Sequence, residues 1–417
     1  MSVGGTLARG AFWLGGAAVA STYVVLPAIV LIRGRLVHRP VHAAPIEPSV
    51  SVVIAAHDEA PIIGSKLDSV LEAEYPGDRL EVIVASDGST DGTQAVVASY
   101  SPRGVRLLDL DRVGKADALN AAIAATTGEI VVFTDANSML APGALRAIVA
   151  PFADPEVGGV AGDQRYRRGG EDAVGAGERS YWDLDRMLKR AESRAGSVVS
   201  ATGALYAVRR ELVRPVRAGV TDDFITSTAV VLAGRRLVFA DDAAAYEPVA
   251  SSGGVEFGRK VRIMTRGLSG VVAHRALLDP RRTGFYALEL LWHKLLRRLV
   301  VVPLVAVALA SLVLARDGLL YRLALAGQVG VYGLGVVGLV AARGGRRGSR
   351  LVALPAYFLV VNGAALVALW NLVRGRRIDR WEPQRGSAEG ATAADPATEP
   401  PAAAQPTTTG ERPEEAA

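Results

Sequence analysis

The sequence predicts an α/β domain with a mostly parallel sheet, flanked by transmembrane helices. Three observations lead to this fold class. Between residues 50 and 134, apolar runs of strand length alternate with helical patterns, as in βαβ units. Uncharged apolar runs long enough to cross a bilayer lie on both sides of that domain. Polar residues follow several of the predicted strands, where parallel sheets bind their ligands.

The first half of the predicted domain has the most regular pattern. Its predicted strands are residues 50–55, 80–85, 105–109 and 130–134, and its predicted helices are 62–74, a segment after Asp91, and 116–125. Because the carboxyl ends of parallel strands share one edge of a sheet, we expect the polar residues after these strands to lie together.

Composition narrows the possible chemistry. The 417 residues are 50% hydrophobic and 21% charged, with no Cys and five His. The mean hydropathy of +0.25 indicates membrane spans. The lack of Cys excludes disulfides, Cys-ligated zinc, iron–sulfur centres and a Cys nucleophile. A formal net charge of only +5 gives little reason to expect nucleic acid as a partner.

Four uncharged apolar runs are the predicted spans: residues 11–32, 299–315, 323–342 and 351–373. About 20 apolar residues cross the hydrocarbon core, so the 299–315 run is at the short limit. The first run is longer than the core of a signal peptide and lacks a nearby Ala-x-Ala site, which favours an uncleaved anchor.

The segment 256–298 is predicted to lie at the membrane surface. It is strongly basic, with ten Lys and Arg against two acidic residues between 259 and 298. Large apolar residues of its second half, including Trp292, fall on one helical face, as in helices that bind anionic lipid headgroups. The alternative is a solvated basic helix packed on the domain.

The arginines that flank the spans give conflicting orientations. Three Arg follow the first run and only Arg9 precedes it, so the positive-inside rule places the domain in the cytoplasm, at the plasma membrane of a bacterial cell. Four spans then leave the C-terminus outside, whereas the four Arg of 374–380 favour the inside. A re-entrant or interfacial C-terminal run would reconcile the two.

These patterns divide the chain into five segments: a membrane anchor (1–44), a cytoplasmic domain (45–255), the interfacial segment (256–298), transmembrane helices (299–373), and a basic juxtamembrane stretch with a tail (374–417). From residue 384 onward the chain has no large apolar side chain. It cannot bury enough surface to offset its ordering entropy, so we expect disorder there.

Six segments resemble, in order, the motifs of membrane-bound family 2 glycosyltransferases. They are SVVIAAHDEA (51–60), ASDGSTDGT (85–93), GKADALN (114–120), FTDANS (133–138), ATGALYAVRR (201–210) and TDDF (221–224). This family includes cellulose, chitin, hyaluronan and poly-N-acetylglucosamine synthases. The resemblance implies the type A nucleotide-sugar-binding fold and the transfer of a sugar from a nucleoside diphosphate donor with inversion.

On the donor side, the resemblance implies a nucleotide pocket lined by Ala55, His57 and Glu59, with Glu59 near the ribose. Asp87 would accept hydrogen bonds from the uracil or ribose, and Lys115 would contact the base or the phosphates. Taken alone, the segment with Ala55, His57 and Glu59 also fits a solvated turn. Asp87 also fits a helix N-cap, and Lys115 a surface lysine.

The family's Asp-x-Asp motif reads Asp135-Ala136-Asn137 here and implies Mg²⁺ or Mn²⁺ as cofactor. Hard cations take oxygen ligands and keep partner phosphates, so such an ion would bridge the diphosphate and neutralise charge on the leaving group. Asn137 offers a carbonyl oxygen without a charge. The alternatives are that Asp135 alone binds the ion and that Asn137 caps a helix.

Asp222-Asp223 resembles the family's acidic pair that contains the catalytic base, and the match assigns the base to Asp223. Inverting transfer needs a carboxylate that takes the proton of the acceptor hydroxyl, and a neighbouring carboxylate raises the pKa of such a base. The alternative is an N-cap pair at the start of a helix. A second acidic pair, Asp241-Asp242, is interpreted as a turn.

On the acceptor side, the resemblance implies contacts from Gly203 and Tyr206. The Gln-x-x-Arg-Trp motif of processive members aligns with residues 263–267, which keep Arg266 but have Ile263 and Gly267 in place of Gln and Trp. Arg266 would contact the diphosphate. The Trp stacks on the terminal sugar of the acceptor, so its loss argues against a polymeric product.

The sequence thus predicts an inverting, metal-dependent hexosyltransferase that moves a sugar, most simply from a UDP-sugar, to a membrane-proximal glycan or lipid acceptor in the synthesis of cell-envelope polysaccharide or glycolipid. The expected partners are the nucleotide-sugar donor, this acceptor and membrane lipids. One alternative is a polyprenyl-phosphate glycosyltransferase, whose anionic acceptor needs no strong base. The other is a catalytically silent membrane scaffold.

Overall fold

The structure, a computed structural model, describes residues 3–166, 173–247, 253–343 and 349–376. The predicted disordered tail from residue 384 lies outside these ranges. Eight strands carry the domain: β1 Val50–Ala56, β2 Leu80–Asp87, β3 Val105–Leu110, β4 Ile130–Phe133, β5 Met139–Leu140, β6 Val157–Tyr166, β7 Tyr206–Arg209 and β8 Arg236–Glu247.

The strands form one mixed sheet in the order β3-β2-β1-β4-β7-β6-β8-β5. The first four are parallel neighbours, as the regular half of the sequence predicts. Beyond β4 the sheet changes direction, because β7 pairs antiparallel with both β4 and β6. The prediction of a turn at Asp241-Asp242 is wrong: both residues lie inside β8, beside a shift in its register with β6.

Fifteen α-helices occur in the described ranges: α1 Val3–Ala20, α2 Leu26–Leu36, α3 Ala60–Leu71, α4 Thr93–Ser99, α5 Lys115–Ala124, α6 Ala144–Val149, α7 Ala173–Ala195, α8 Asp222–Leu232, α9 Gly253–Ala273, α10 Pro280–Thr283, α11 Phe285–Leu290, α12 Arg297–Leu299, α13 Val301–Leu314, α14 Leu319–Arg343 and α15 Arg350–Val373. Two π-helical segments, Ser21–Val25 and Leu291–Leu296, join α1 to α2 and α11 to α12.

The sheet is buried on both faces, which explains the continuous apolar runs of its central strands. All seven residues of β1 are buried. One apolar cluster contains Val52 and Ile54 with Ile63, Leu67 and other residues of α3 and α6. The opposite cluster contains residues of α5 and α8. This packing fixes the edge of the sheet at which the polar residues gather.

Within the part of the chain that the structure describes, three helical segments are long and apolar enough to cross a membrane: Gly4–Leu36, Leu319–Arg343 and Leu351–Val373. The predicted span at 299–315 is instead part of a bent pair, Phe285–Leu299 and Val301–Leu314, whose axes differ by 47°. The helices approach closely at glycines, as is usual for membrane helices. A Cβ on Gly15 of α1 would lie 2.7 Å from the side chain of Val307 on α13.

Trp292 lies in a buried contact within the protein and not on an exposed apolar face of the basic segment, whose position at the membrane surface stays a prediction. Its side chain is only 6% exposed and packs with Val30 of α2 and Leu188 and Ala191 of α7. Its Nε1 donates to the carbonyl of Thr22 at 3.4 Å. The π-helical segment at this position adds a residue to one turn, so a face drawn with a period of 3.6 residues loses its register. Trp292 therefore attaches the basic segment to the first span.

Candidate functional site

The polar residues singled out in the sequence gather at the carboxyl edge of the parallel strands. A small cavity lies there, and its lining includes Ala55 and Lys115. Gly203 and Tyr206 reach the same edge because β7 starts there: Tyr206 pairs with Phe133 at the end of β4. The loops after the parallel strands and the start of the antiparallel strand β7 therefore form opposite walls of one site.

The loop after β1 is tied to the loop after β2. His57 Nδ1 lies 2.7 Å from the carbonyl oxygen of Asp87, and the backbone N–H of Glu59 donates to Thr93 Oγ1 at 2.8 Å. Asp58 has φ = +51° and accepts from the backbone N–H of Thr90. Because their hydrogen bonds are made to the neighbouring loop, His57 and Glu59 are held in place beside Asp87.

Asp87 is 1% exposed and holds the loop that precedes Lys115. Its Oδ1 accepts from the backbone N–H of Gly114 at 2.8 Å, while Arg112 Nη1 is 3.8 Å from Oδ2. Among the described residues Oδ2 has no hydrogen-bond partner. A buried carboxylate oxygen of this kind is suited to accept hydrogen bonds from a ligand. The nucleotide-binding role of Asp87 stays a prediction.

Lys115 lies between two predicted site carboxylates. Its Nζ is 2.9 Å from Asp135 Oδ1 and 3.1 Å from Asp222 Oδ2. Burial alone would lower the pKa of Lys115, but the attraction of Asp135 and Asp222 reverses this and raises the pKa above its ordinary value. Lys115 therefore stays charged and joins the donor-side loop to the start of α8.

Asp135 follows β4 and lies against Gly203. Burial works to raise the pKa of Asp135, but the neighbouring Lys115 outweighs it and the pKa is lowered, so the carboxylate is ionised. The Asp135 N–H donates to the Gly203 carbonyl at 3.0 Å, and a Cβ on Gly203 would lie 2.5 Å from Asp135 Oδ2. Glycine is thus required for access to this oxygen.

Asp135 fits a divalent cation that arrives with its own phosphate ligands. Within the described part of the chain no three His, Cys, Asp or Glu side chains are grouped as a metal site. Mg²⁺-type sites nevertheless often use one or two carboxylates together with substrate phosphates. The oxygen Oδ2 of Asp135 lies beside Gly203, whose missing side chain leaves room next to it. The role of Asn137 as a second ligand stays a prediction.

Asp223 follows Asp222 in the first turn of α8. Burial first, and then the adjacent Asp222, raise the pKa of Asp223 to about 6, against the opposing attraction of Lys294. Its Oδ1 accepts from the N–H of Phe224 at 2.7 Å. A carboxylate with this pKa is ionised near neutral pH and still basic enough to accept a proton.

Tyr206 is less accessible than the sequence prediction requires. Its side chain is 1% exposed, and its ring stacks on Phe133 with centroids 4.8 Å apart. The ring belongs to the sheet core, where it supports the cavity wall. Its acceptor-binding role remains a prediction.

Two residues near the site were not singled out in the sequence. Arg262 of α9 lies one turn before the predicted Arg266; burial and the nearby Arg266 and Arg259 lower the pKa of Arg262, while Asp135 and Asp222 act in the opposite sense. Arg262 therefore lies close enough to the two carboxylates for their charges to act on it. The helical spacing of Arg259, Arg262 and Arg266 was the available signal. The second missed residue is Lys66, which donates to Thr134 beneath Asp135.

The fold and the site define a class, the glycosyltransferases with a type A nucleotide-sugar-binding fold. Residues 51–217 match the family model described as Glycosyl transferase family 2, so this part of the chain is a family 2 glycosyltransferase domain. That confirms the expected fold and, for residues 51–217, the expected family; the TDDF motif at 221–224 lies beyond the matched range.

Curated relatives and a solved structure support this assignment. An N-acetylglucosaminyltransferase of Rhizobium meliloti is 33% identical over 178 residues, which are 41% of each chain. A poly-beta-1,6-N-acetyl-D-glucosamine synthase of Staphylococcus epidermidis is 28% identical over 184 residues, 43% of this chain and 44% of the relative. The chain thus matches less than half the length of these relatives.

The solved mannosyltransferase PcManGT from Pyrobaculum calidifontis, in complex with GDP-Man and Mn²⁺, is similar over 87% of this chain and 99% of its own. Its identity is 28% and its TM-score is 0.66. The likeness therefore includes much of the region outside residues 51–217.

Proposed function

We propose that the protein is an inverting glycosyltransferase that moves a sugar from a nucleoside diphosphate donor, a UDP-sugar, to a membrane-proximal glycan or lipid acceptor. The observation that carries this proposal is the Lys115 bridge. Lys115 contacts both Asp135, which follows β4, and Asp222, which precedes Asp223. The residues proposed to bind the donor and the start of the helix that carries the proposed base therefore lie at one cavity.

The donor nucleotide is assigned to the walls formed by the loops after β1 and β2. Ala55, His57 and Glu59 line or support the pocket for the base and ribose. Asp87 Oδ2 accepts a hydrogen bond from the base or the ribose. The diphosphate lies at Lys115 and at the arginines of α9. Charge-assisted contacts of this type bind phosphate oxygens strongly. Relatives named for N-acetylglucosamine transfer and synthesis favour UDP-N-acetylglucosamine within the class.

Asp135, assisted by Asn137, would hold a Mg²⁺ or Mn²⁺ ion together with the diphosphate. When bound, such an ion supplies neutralisation of the charge that develops on the departing nucleoside diphosphate. The Mn²⁺ named with the mannosyltransferase structure supports a divalent cation here. Gly203 keeps the approach to Asp135 Oδ2 open for this purpose.

Asp223 would act as the catalytic base. Its carboxylate takes the proton of the acceptor hydroxyl while that oxygen forms a bond to the anomeric carbon, opposite the bond to the diphosphate oxygen that breaks. The protonated carboxyl later loses its proton to water. The negative charge of Asp222, which pairs with Lys115, helps to raise the pKa of Asp223.

The acceptor would reach Asp223 from the side of the membrane helices, with the domain in the cytoplasm at the bacterial plasma membrane. Helix α9 packs on the start of α8, where a Cβ on Gly270 would lie 3.0 Å from the ring of Phe224. Apolar helices beside the site suit a lipid-linked or membrane-retained acceptor.

A second candidate, transfer to a lipid phosphate, has one specific observation in its favour. Cationic groups lie on the acceptor side of Asp223: Lys294 Nζ is 5.5 Å from the ring centroid of Phe224, and the Arg298 guanidinium fills the space beside Gly267. Phosphate oxygens bind such groups well. A phosphate acceptor needs no base, so an Asp223→Asn variant that transfers at nearly the wild-type rate would favour it.

The test uses the full chain in membranes with a panel of UDP- and GDP-sugars, lipid extract as acceptor, and Mn²⁺ or a chelator. We expect turnover of one donor that requires the cation and falls at least about 100-fold in Asp135→Ala. Asp242→Asn, an exposed carboxylate in β8, is the control. No turnover and no calorimetric binding of any donor would instead indicate the silent scaffold.

A further inference from the structure

Lys66 is a fully buried lysine in the apolar face of α3. Its side chain is 0% exposed, and its helical neighbours Ile63, Leu67 and Val70 belong to the core under the sheet. The Nζ atom donates to Thr134 Oγ1 at 2.7 Å and to the carbonyl oxygen of Ser138. Both partners are neutral groups of the loop that follows β4.

The two acceptors of Lys66 lie on either side of the predicted cation ligands. Thr134 immediately precedes Asp135, and Ser138 immediately follows Asn137. Because one side chain, Lys66, holds both ends of the segment 134–138, it fixes the backbone positions of Asp135 and Asn137 relative to α3. A shift of Thr134 or Ser138 would change the separation of the Asp135 carboxylate and the Asn137 side-chain amide.

The same contact extends to the opposite wall of the cavity. Thr134 Oγ1, which accepts from Lys66, donates its own proton to the carbonyl of Ala204 at 2.7 Å. The N–H of Asp135 donates to the carbonyl of Gly203. On the far side of the turn, Ser138 Oγ donates to Glu247 Oε1 at 2.7 Å. Lys66 is therefore the central member of a buried network under the cation loop.

A lysine is a costly residue for this position. Burying an amine in an apolar face is unfavourable unless hydrogen bonds compensate, whereas an apolar side chain carries no such cost. Burial lowers the pKa of Lys66 to about 7. Both the ammonium and the neutral amine can donate to Thr134 and Ser138, so the contact does not depend on the charge state.

We propose that Lys66 is a positioning residue for the donor site: through Thr134 and Ser138 it holds Asp135 and Asn137 in the arrangement that binds the cation and diphosphate. The claim that Lys66 holds the loop rests on the hydrogen bonds alone. The claim that this helps to bind the cation and diphosphate rests on the proposed function. The chemical class of the ligand is a divalent cation with a nucleoside diphosphate.

The experiment compares Lys66→Met with Val70→Ala in the full chain. Val70 lies one turn further along α3, is 0% exposed and belongs to the same core. Its side chain has no polar atom, so its truncation lowers stability while the hydrogen bonds of Lys66 to Thr134 and Ser138 remain. Hydrogen exchange of residues 134–140 and Mn²⁺ binding in the presence of UDP are measured for both variants and for wild type.

We expect Lys66→Met to speed exchange at 134–140 and to weaken Mn²⁺ binding about 10–100-fold, as loss of outer-shell partners of metal ligands does. Val70→Ala, at an equal or greater loss of thermal stability, should leave both quantities near wild type. Equal behaviour of the two variants would overturn the proposal. If wild type binds neither Mn²⁺ nor UDP, the proposed function fails, and the exchange comparison still decides whether Lys66 holds the loop.

Discussion

The ammonium nitrogen of Lys115 lies 2.9 Å from Oδ1 of Asp135. This pair joins the first residue of α5 to the loop after β4, and the same nitrogen reaches Asp222 at 3.1 Å. A positive side chain thus occupies the space between two carboxylates that the proposed reaction uses. Lys115 must therefore share Asp135 with any divalent cation that binds there.

The first prediction concerns that sharing. Lys115→Met should weaken the binding of UDP by at least about tenfold, because a charge-assisted phosphate contact is lost. It should strengthen the binding of Mn²⁺ measured without nucleotide, since the competing ammonium is gone. Calorimetry and Mn²⁺ spin resonance measure the two effects. Lys189→Met, which removes the 3.1 Å pair with Asp185 outside the cavity, is the control. Unchanged Mn²⁺ affinity in Lys115→Met would contradict the prediction.

The second prediction concerns pH. Because the pKa of Asp223 is about 6, transfer should fall as the pH is lowered through 6, where the base becomes protonated. The measurement is kcat/KM for the donor and acceptor between pH 5 and pH 8. A rate that stays flat down to about pH 5 would be inconsistent with Asp223 as the base.

The third prediction is that Asp223→Asn stabilises the protein at neutral pH. The native state holds a proton on Asp223 between the ordinary pKa of 3.8 and about 6, whereas the unfolded chain does not. The stability contributed by this proton is therefore lost as the pH rises through that window. Above pH 6 the asparagine variant should be more stable by about 1–3 kcal/mol. Thermal unfolding of both proteins at pH 5 and pH 7.5 tests this, and an advantage that does not grow with pH would refute it.

The fourth prediction concerns Gly203. A Cβ at this position would lie 2.5 Å from Asp135 Oδ2, so Gly203→Ala should displace the carboxylate and lower transfer at least about tenfold. Gly143→Ala is the matched control, since no atom lies within 4 Å of its added Cβ and its φ is −83°. Similar rates for the two variants would show that Oδ2 is not used.

The fifth prediction concerns the joint between the first span and the domain. A Cβ on Gly34 of α2 would lie 2.6 Å from the Cβ of Ala191 on α7. Gly34→Val should lower the free energy of unfolding by about 1–3 kcal/mol through overpacking. Gly16→Ala, which meets no atom within 4 Å, should change little. Thermal unfolding in detergent gives the comparison, and equal midpoints would contradict the packing.

Much of the sheet could be predicted because its residues obey local rules. The run at 50–55 became β1, Val50–Ala56, since a strand buried on both faces reads as a continuous apolar segment. The run at 105–109 became the partly exposed edge strand β3, Val105–Leu110. The site edge followed from the parallel order of those strands. Asp135 and Asp222 were named from motifs, and the structure brings them to one lysine.

The remaining features depend on contacts between distant parts of the chain. Lys66 looks like a polar interruption of an apolar helix until Thr134 and Ser138 are placed above it. Trp292 fits a lipid-facing stripe only if the helix has a regular period, and a π-helical segment breaks that period. The change from parallel to antiparallel pairing at β7 carries no local sequence signal, yet it determines where Gly203 lies.

The most direct test of the central claim is transfer of labelled sugar by the wild-type protein and by Asp223→Asn in the same membranes. We expect both proteins to bind the donor with Mn²⁺ at similar affinity, and the variant to form labelled acceptor about 100-fold or more slowly than wild type. A variant that binds the donor and transfers at the wild-type rate would contradict the role of Asp223. It would also favour an acceptor that needs no base, such as a lipid phosphate.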